Sequence, residues 1–260
     1  MTVALHHVSD GPADGPVLVM AGSLGSTTEM WRPQLPALAE HFRVVRIDLR
    51  GHGGSPATAG PYEMDALADD VLALLDRLDL RRVHWCGLSL GAMVGMYLAS
   101  ETPERIDRLA LCCTSAYFPD PGVWRERILS VDALGTAGIA TAVVARWFTA
   151  GWAAEHPDAV AEAEAMVASI SDEGYSGCCA ALAVWDHRDR LPAITAPTLV
   201  VAGADDPATP VEPHATTLAA GIPGARLEVV PGGHLATIES AETVNALLLA
   251  HLADRAAAPR

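Results

Sequence analysis

The sequence predicts an α/β fold, with a mostly parallel central sheet, helices on both faces and one helical insertion. Short apolar runs bounded by turn residues alternate with stretches of helical periodicity along most of the chain. Between Pro119 and Leu191 that alternation stops, and no strand pattern interrupts a run rich in Ala, Trp and Glu. The 260 residues are 50% hydrophobic, which suits one large α/β core and argues against global disorder.

The elements follow in chain order. "VLVMAG" (17–22) and "FRVVRIDLRG" (42–51) read as buried strands, and the intervening "MWRPQLPALAEHF" (30–42) as a helix with prolines near its start. In "YEMDALADDVLALLDRLDL" (62–80), Met64, Leu67, Val71, Leu74, Leu75 and Leu78 share one helical face. "RRVHWCG" (81–87) is a strand and "GAMVGMYLASETPERI" (91–106) a helix. "DRLALCC" (107–113), "PTLVVAG" (197–203) and "ARLEVVPG" (225–232) are further strands. A last helix opens at Ser240, an N-cap residue type, and buries Val244, Leu247, Leu248 and Leu252. Within the insertion, "GIATAVVARWFTAGW" (138–152) and "PDAVAEAEAMVASI" (157–170) read as helices. Residues 1–118 and 192–260 are therefore expected to form the core, and 119–191 a helical lid over the C-terminal edge of the sheet. The tail "ADRAAAPR" (253–260) reads as a frayed end or a linker stub.

The formal net charge of −15 argues against nucleic acid or an anionic membrane as a general partner. Small acids are not excluded, because a local arginine outweighs a global charge. The five cysteines include no CxxC, so a zinc site is not supported and buried reduced thiols are expected. The N-terminus lacks the basic-then-apolar pattern of a signal peptide, and no run of 18 apolar residues predicts a membrane span. A soluble cytoplasmic protein is the expectation.

The chemistry centres on "VHWCGLSLGAMVG" (83–95), where Ser89 lies between Gly87 and Gly91 at a strand-to-helix junction. This G-x-S-x-G pattern matches the nucleophile elbow of α/β-hydrolases. A sharp turn there strains the serine backbone, and glycines on both sides relieve the clash while the hydroxyl is lifted out of the sheet. The following helix aims its N–H groups and positive dipole end at the same point. A serine needs a positioned base, and the α/β-hydrolase chain order is Ser, acid, His. Asp206 in "DDPATP" follows a late strand and is the expected acid, with Asp205 as competitor. The alternative role for both is turn formation or helix capping. His234 follows the last strand behind two glycines and is the expected base. His6, His7, His41, His84, His156, His187 and His214 read as surface or structural, and His52 in "RGHGGS" as a loop residue shaping the site floor. The oxyanion hole needs two N–H groups. Leu90, just after Ser89, and Leu24, in the loop "GSLGS" after the first strand, are the candidates.

Over nearly its whole length the chain resembles the 3-oxoadipate enol-lactonases of the α/β-hydrolase superfamily. The matching segments are "GSLGSTTEMW", "GLSLGAMVGMYLA", "CCTSA", "RWFT", "GYSGCCAAL", "DDPATP" and "HLATIE". Several lie in the expected lid, where hydrolase subfamilies diverge. Gly22 departs from the pattern, since members of this family typically carry Asn there. The resemblance implies opening of a five-membered enol-lactone bearing an acetate arm, through an acyl-enzyme on Ser89, in aromatic-compound catabolism. It implies no cofactor and no metal. The acetate arm implies a cation, and Arg127, Arg146 and Arg188 are the lid candidates, with Trp124 and Trp147 beside the first two as further substrate contacts. The alternative for each arginine is a solvated surface charge, and for Trp147 and Phe148 it is core packing. Some relatives are fused to a pathway decarboxylase, so the tail is a candidate linker to such a partner. A general esterase or a cofactor-free perhydrolase would use the same triad without a lid cation. A non-catalytic binding module on this fold is the alternative from another class.

Overall fold

A computed structural model describes residues 1–253. Residues 254–260, most of the segment read as a tail or linker, lie outside the described residues. One sheet of seven strands runs in the order β1-β3-β2-β4-β5-β6-β7. The strands are β1 (His7–Asp10), β2 (Val17–Ala21), β3 (Arg43–Ile47), β4 (Val83–Leu88), β5 (Ile106–Cys112), β6 (Thr198–Gly203) and β7 (Arg226–Val230). Only β1 is antiparallel, paired to β3 with Val8 opposite Arg46; every other neighbour is parallel. Strands β4 and β6 are buried along their whole length, as expected for a parallel sheet covered on both faces. β1 was not expected from the sequence. "HVSD" carries no apolar run, and it becomes a strand only because β3 offers it a free edge.

Strand β3 lies on one side of β2 and β4 on the other, so the strand order reverses direction between β2 and β4. At such a switch point the connections leave in opposite directions, and a crevice opens beyond the carboxyl ends of the two strands. The loop 22–27 follows β2, and Ser89 follows β4.

The predicted helix over 30–42 is instead a 3-10 segment, Thr28–Gln34, leading into the single turn α1 (Leu35–Leu38). Pro33 and Pro36 lack the N–H donors that a continuous helix needs there. Helix α2 (Met64–Arg77) buries Met64, Leu67, Val71, Leu74 and Leu75 as its pattern predicts, with Leu78 half-buried at its end. It also buries Asp70, which takes a two-pronged ion pair from Arg50 at 2.7 and 2.8 Å. Helix α3 (Leu90–Glu101) is buried along most of its surface.

Between β5 and β6 stand α4 (Gly122–Val144), α5 (Ala150–Glu155), α6 (Pro157–Ala168) and α7 (Asp172–Ala183). Helix α4 is long and apolar enough to cross a membrane by length and composition alone. Here it packs on α6 and α7 and is broken at Gly135, whose φ of 69° and ψ of 169° are not helical. The helix predicted over 138–152 is likewise interrupted. Arg146 N–H bonds Val143 O (3.1 Å) and Trp147 N–H bonds Val144 O (2.8 Å), a tight turn that ends α4 before α5 begins. At the base of this region Tyr117 forms an isolated antiparallel bridge with Asp186, and His187 N–H donates to Ala116 O at 2.7 Å.

Helices α8 (Thr216–Gly221), α9 (Ala236–Glu239) and α10 (Ala241–Ala253) complete the described chain. Ser240 does precede α10, and its carbonyl accepts from Val244 N–H, but its hydroxyl donates to Pro231 O at 2.7 Å. All five cysteines are buried free thiols, as expected.

Candidate active site

Ser89 sits between β4 and α3 at φ 52° and ψ −113°, a strained conformation for a residue with a side chain. The flanking glycines are sterically required. A Cβ on Gly87 would enter the backbone of Gly91 and Ala92, and one on Gly91 would enter the carbonyl of Ala21 in β2. The turn is tied on several sides. Ser89 N–H donates to Cys112 O (3.0 Å), Gly91 N–H to Gly22 O (2.9 Å), and Trp85 Nε1–H to Gly91 O (3.0 Å). Thr114 Oγ1 donates to Ser89 O at 2.9 Å. Adjacent strands thus hold the serine in a backbone geometry it would not adopt alone.

His234 is buried on the loop after β7, and its Nδ1 donates to Asp206 Oδ2 at 2.9 Å. A carboxylate only accepts, so the proton of the neutral ring is on Nδ1, and Nε2 is left as the basic nitrogen. Asp206 is buried, whereas its competitor Asp205 is exposed and engages Gly232 O through its backbone. Three more donors converge on Asp206: Ala208 N–H (2.8 Å), Thr209 N–H (3.1 Å) and Thr209 Oγ1–H (2.7 Å). Burial alone would raise its pKa, but the charge and hydrogen bond of His234 and the bonds from Thr209 outweigh this. The carboxyl is held well below its ordinary range and stays ionised. Ser89 and His234 open on the same cleft. No hydrogen bond joins Ser89 Oγ to His234 within 3.5 Å; such contacts commonly tighten only when substrate is bound.

Leu24 also lines the cleft. Leu90 does not line it: its side chain is fully buried, and as the first residue of α3 its N–H has no intrahelical acceptor. The loop bearing Leu24 is held from behind by His52, whose Nδ1 donates to Arg50 O (3.1 Å) and whose Nε2 accepts from Gly25 N–H (3.0 Å). Burial lowers the pKa of His52 and keeps it in this neutral form. His52 does not line the cleft; it supports the loop that does. A Cβ on Gly22 would meet Ser26 Oγ and Met30 Sδ, side-chain atoms that would have to shift to admit it.

The opposite wall comes from the helices between β5 and β6. Trp124, Arg127, Arg146 and Trp147 all line the cleft, which encloses about 680 Å³ with its open mouth included. Arg127 Nη1 donates to Tyr175 Oη at 3.1 Å. Burial pushes the Tyr175 phenol up to about 12, so it remains a neutral partner. Among the described residues no carboxylate lies within 4.0 Å of Arg127 or Arg146, although most other arginines are paired. Trp124 Nε1 is buried without a partner. Arg188, the third arginine candidate, is excluded by placement. It pairs with Asp186 at 2.5 Å and covers the Tyr117 ring at 4.1 Å, away from the cleft. Phe148 stacks on Trp152 outside the cleft.

Sequence reasoning missed Thr209 and Tyr175. Thr209 had a local signal, because an Asp followed by Thr three residues later can fold back into a turn that caps the carboxylate. Tyr175 had none, since it reaches Arg127 only through the packing of α4 on α7.

The alpha/beta hydrolase fold family matches residues 16–241. The chain is 37% identical to 3-oxoadipate enol-lactonase 2 of Acinetobacter baylyi, over 94% of this chain and 91% of that one. It is 35% identical to a protein of Variovorax paradoxus provisionally named carbamate hydrolase RutD, over 98% of each. The crystal structure of the enol-lactonase from Burkholderia xenovorans superposes with a TM-score of 0.94 at 37% identity, covering 97% of both chains.

Proposed function

Since the chain belongs to the α/β-hydrolase family, we propose that it is a serine hydrolase that opens 3-oxoadipate enol-lactone to 3-oxoadipate. The observation that carries the hydrolytic part is Ser89, strained at the switch-point elbow and facing the same cleft as His234, whose ring is fixed by buried Asp206. The substrate class rests on the enol-lactonase relatives and on two arginines that line the cleft with no carboxylate partner among the described residues, in a chain of net charge −15.

In this reading Ser89 Oγ attacks the lactone carbonyl carbon while His234 Nε2 takes its proton. Asp206 keeps the ring oriented and stabilises the imidazolium. The N–H groups of Leu24 and Leu90 receive the developing oxyanion. The ring C–O bond breaks, and the enolate oxygen leaves while still tethered within the acyl group. Protonation by His234 and conversion to the ketone draw the reaction forward. Water then attacks the acyl-enzyme carbonyl while His234 accepts its proton; the C–Oγ bond breaks, His234 returns that proton to Ser89 Oγ, and the dicarboxylate is released. Arg127 and Arg146, with Trp124 Nε1 as a further donor, hold the acetate arm. The helices of residues 119–191 act as a lid that limits water and so strengthens the oxyanion contacts.

The test is turnover of 3-oxoadipate enol-lactone by the wild type and by Ser89→Ala, beside a neutral p-nitrophenyl ester. We expect fast lactone opening that falls by about 10⁴-fold or more in the variant, with poor ester turnover. Ester turnover without preference for the lactone would keep the serine chemistry and discard this substrate. A second reading, carbamate hydrolysis, is favoured by the similarity to the Variovorax protein. Ammonia release from a small carbamate at a rate exceeding lactone opening would select it.

A further inference from the structure

We propose that Glu239 is a positioning residue that locks the substrate-facing turn between α4 and α5 to the loop carrying His234. The inference rests on the hydrolase reading for its catalytic consequence but not for the lock itself. Glu239 Oε1 accepts from Gly233 N–H (2.8 Å) and from Thr149 N–H (3.0 Å), and Oε2 accepts from Thr149 Oγ1–H (2.6 Å). One carboxylate thus joins the residue before His234 to the residue two beyond Trp147. A backbone bond from Leu235 N–H to Trp147 O (2.8 Å) runs beside it. The surfaces are close enough that a Cβ on Gly233 would stand 3.0 Å from Trp147 O.

Both partners need such a tie. The His234 loop passes through Gly232, at φ 125°, and Gly233, so its own backbone restrains it weakly. The turn 145–149 presents Arg146 and Trp147 to the cleft and has little helix of its own to hold it. A glutamate at the end of α9, anchored by its own N–H on Leu235 O (3.1 Å), gives both segments a common acceptor. Through it, the wall that meets the substrate and the base that moves its proton are set in one geometry. Only carboxylate or carboxamide chemistry fits. Two N–H donors share one oxygen, and the Thr149 hydroxyl can reverse to accept from an amide.

The test compares Glu239→Ala with Glu239→Gln by amide hydrogen exchange and by kinetics per Ser89 titrated with a fluorophosphonate. In Glu239→Ala, segments 146–149 and 233–235 are expected to exchange faster together. Its kcat is expected to fall about 10- to 100-fold on both lactone and neutral ester, with KM raised for the anionic lactone alone. Glu239→Gln is expected to recover most of both effects. A merely structural role would lower thermal stability and the titratable fraction while leaving kcat and KM per active site at wild-type values, and that result overturns the proposal. Exchange that rises in one segment only, or a Gln variant as impaired as Ala, overturns it as well. Coupled exchange in a protein that opens no lactone would retain the lock and reject the substrate assignment instead.

Discussion

Holding Ser89 at φ 52° costs of order 1–3 kcal/mol, and the surrounding strands maintain it through bonds to Cys112, Thr114 and Gly91. The G-x-S-x-G pattern made this residue legible, because only glycine tolerates the neighbouring backbones. Asp206 was half legible. Sequence favoured Asp206 over the adjacent Asp205 from its place in the loop; the structure adds that Asp206 is buried and Asp205 exposed. The arginines of residues 119–191 were legible only as a set of three. Arg188 leaves that set because Asp186 and Tyr117 lie beside it in space. For the remaining two, a charge-assisted bond to a carboxylate contributes about 1.5–3 kcal/mol. Arg127→Ala and Arg146→Ala should each raise KM for the anionic lactone by about 10- to 100-fold and leave that for a neutral ester nearly unchanged. Equal effects on both substrates, in steady-state assays, would show that the arginines serve packing rather than recognition.

At the scale of elements, the β4–α3 elbow and the turn between α4 and α5 are the two junctions that build the site. The first was written locally, in glycine spacing. The second was not, because "GIATAVVARWFTAGW" has helical composition throughout, and its break coincides with long-range bonds from Leu235 N–H to Trp147 O and from Thr149 to Glu239. The region 30–42 departs from helix for the opposite reason, a local one: two prolines remove its donors. The close approach of Gly91 to β2 gives an element-level prediction. Gly91→Ala forces α3 away from Ala21 O and with it the segments carrying Leu24 and Leu90, since Gly91 N–H bonds Gly22 O. Its expected phenotype is loss of fluorophosphonate labelling at Ser89 together with a lower melting temperature. Gly95→Ala, which would meet the side chain of Trp85 rather than backbone, should lower stability with less effect on labelling.

For the whole molecule, every described histidine with a resolved shift moves the same way. His7, His52, His84, His187, His214 and His251 are all lowered, with burial as the leading cause. His187 and His251 fall to about 4 from 6.5. Between those values the unfolded chain binds protons that the folded one refuses, so stability is fully present above pH 6.5 and declines as pH falls toward about 4. Urea unfolding should therefore show a lower free energy near the acid end of that window than at neutrality. His187→Gln should flatten the slope, whatever its absolute stability. A profile of unchanged steepness would remove His187 from this account. By itself, the sequence determined the alternating α/β architecture, the elbow with its serine, and the late histidine. These depend on patterns of a few adjacent residues, where sterics and periodicity act locally. Tertiary structure alone decided that Arg127 and Arg146 line the cleft while Arg188 pairs with Asp186, that "HVSD" becomes an edge strand, and that Glu239 joins two distant segments. Those outcomes depend on which groups are brought within hydrogen-bonding reach and shielded from water, and no spacing along the chain encodes that proximity.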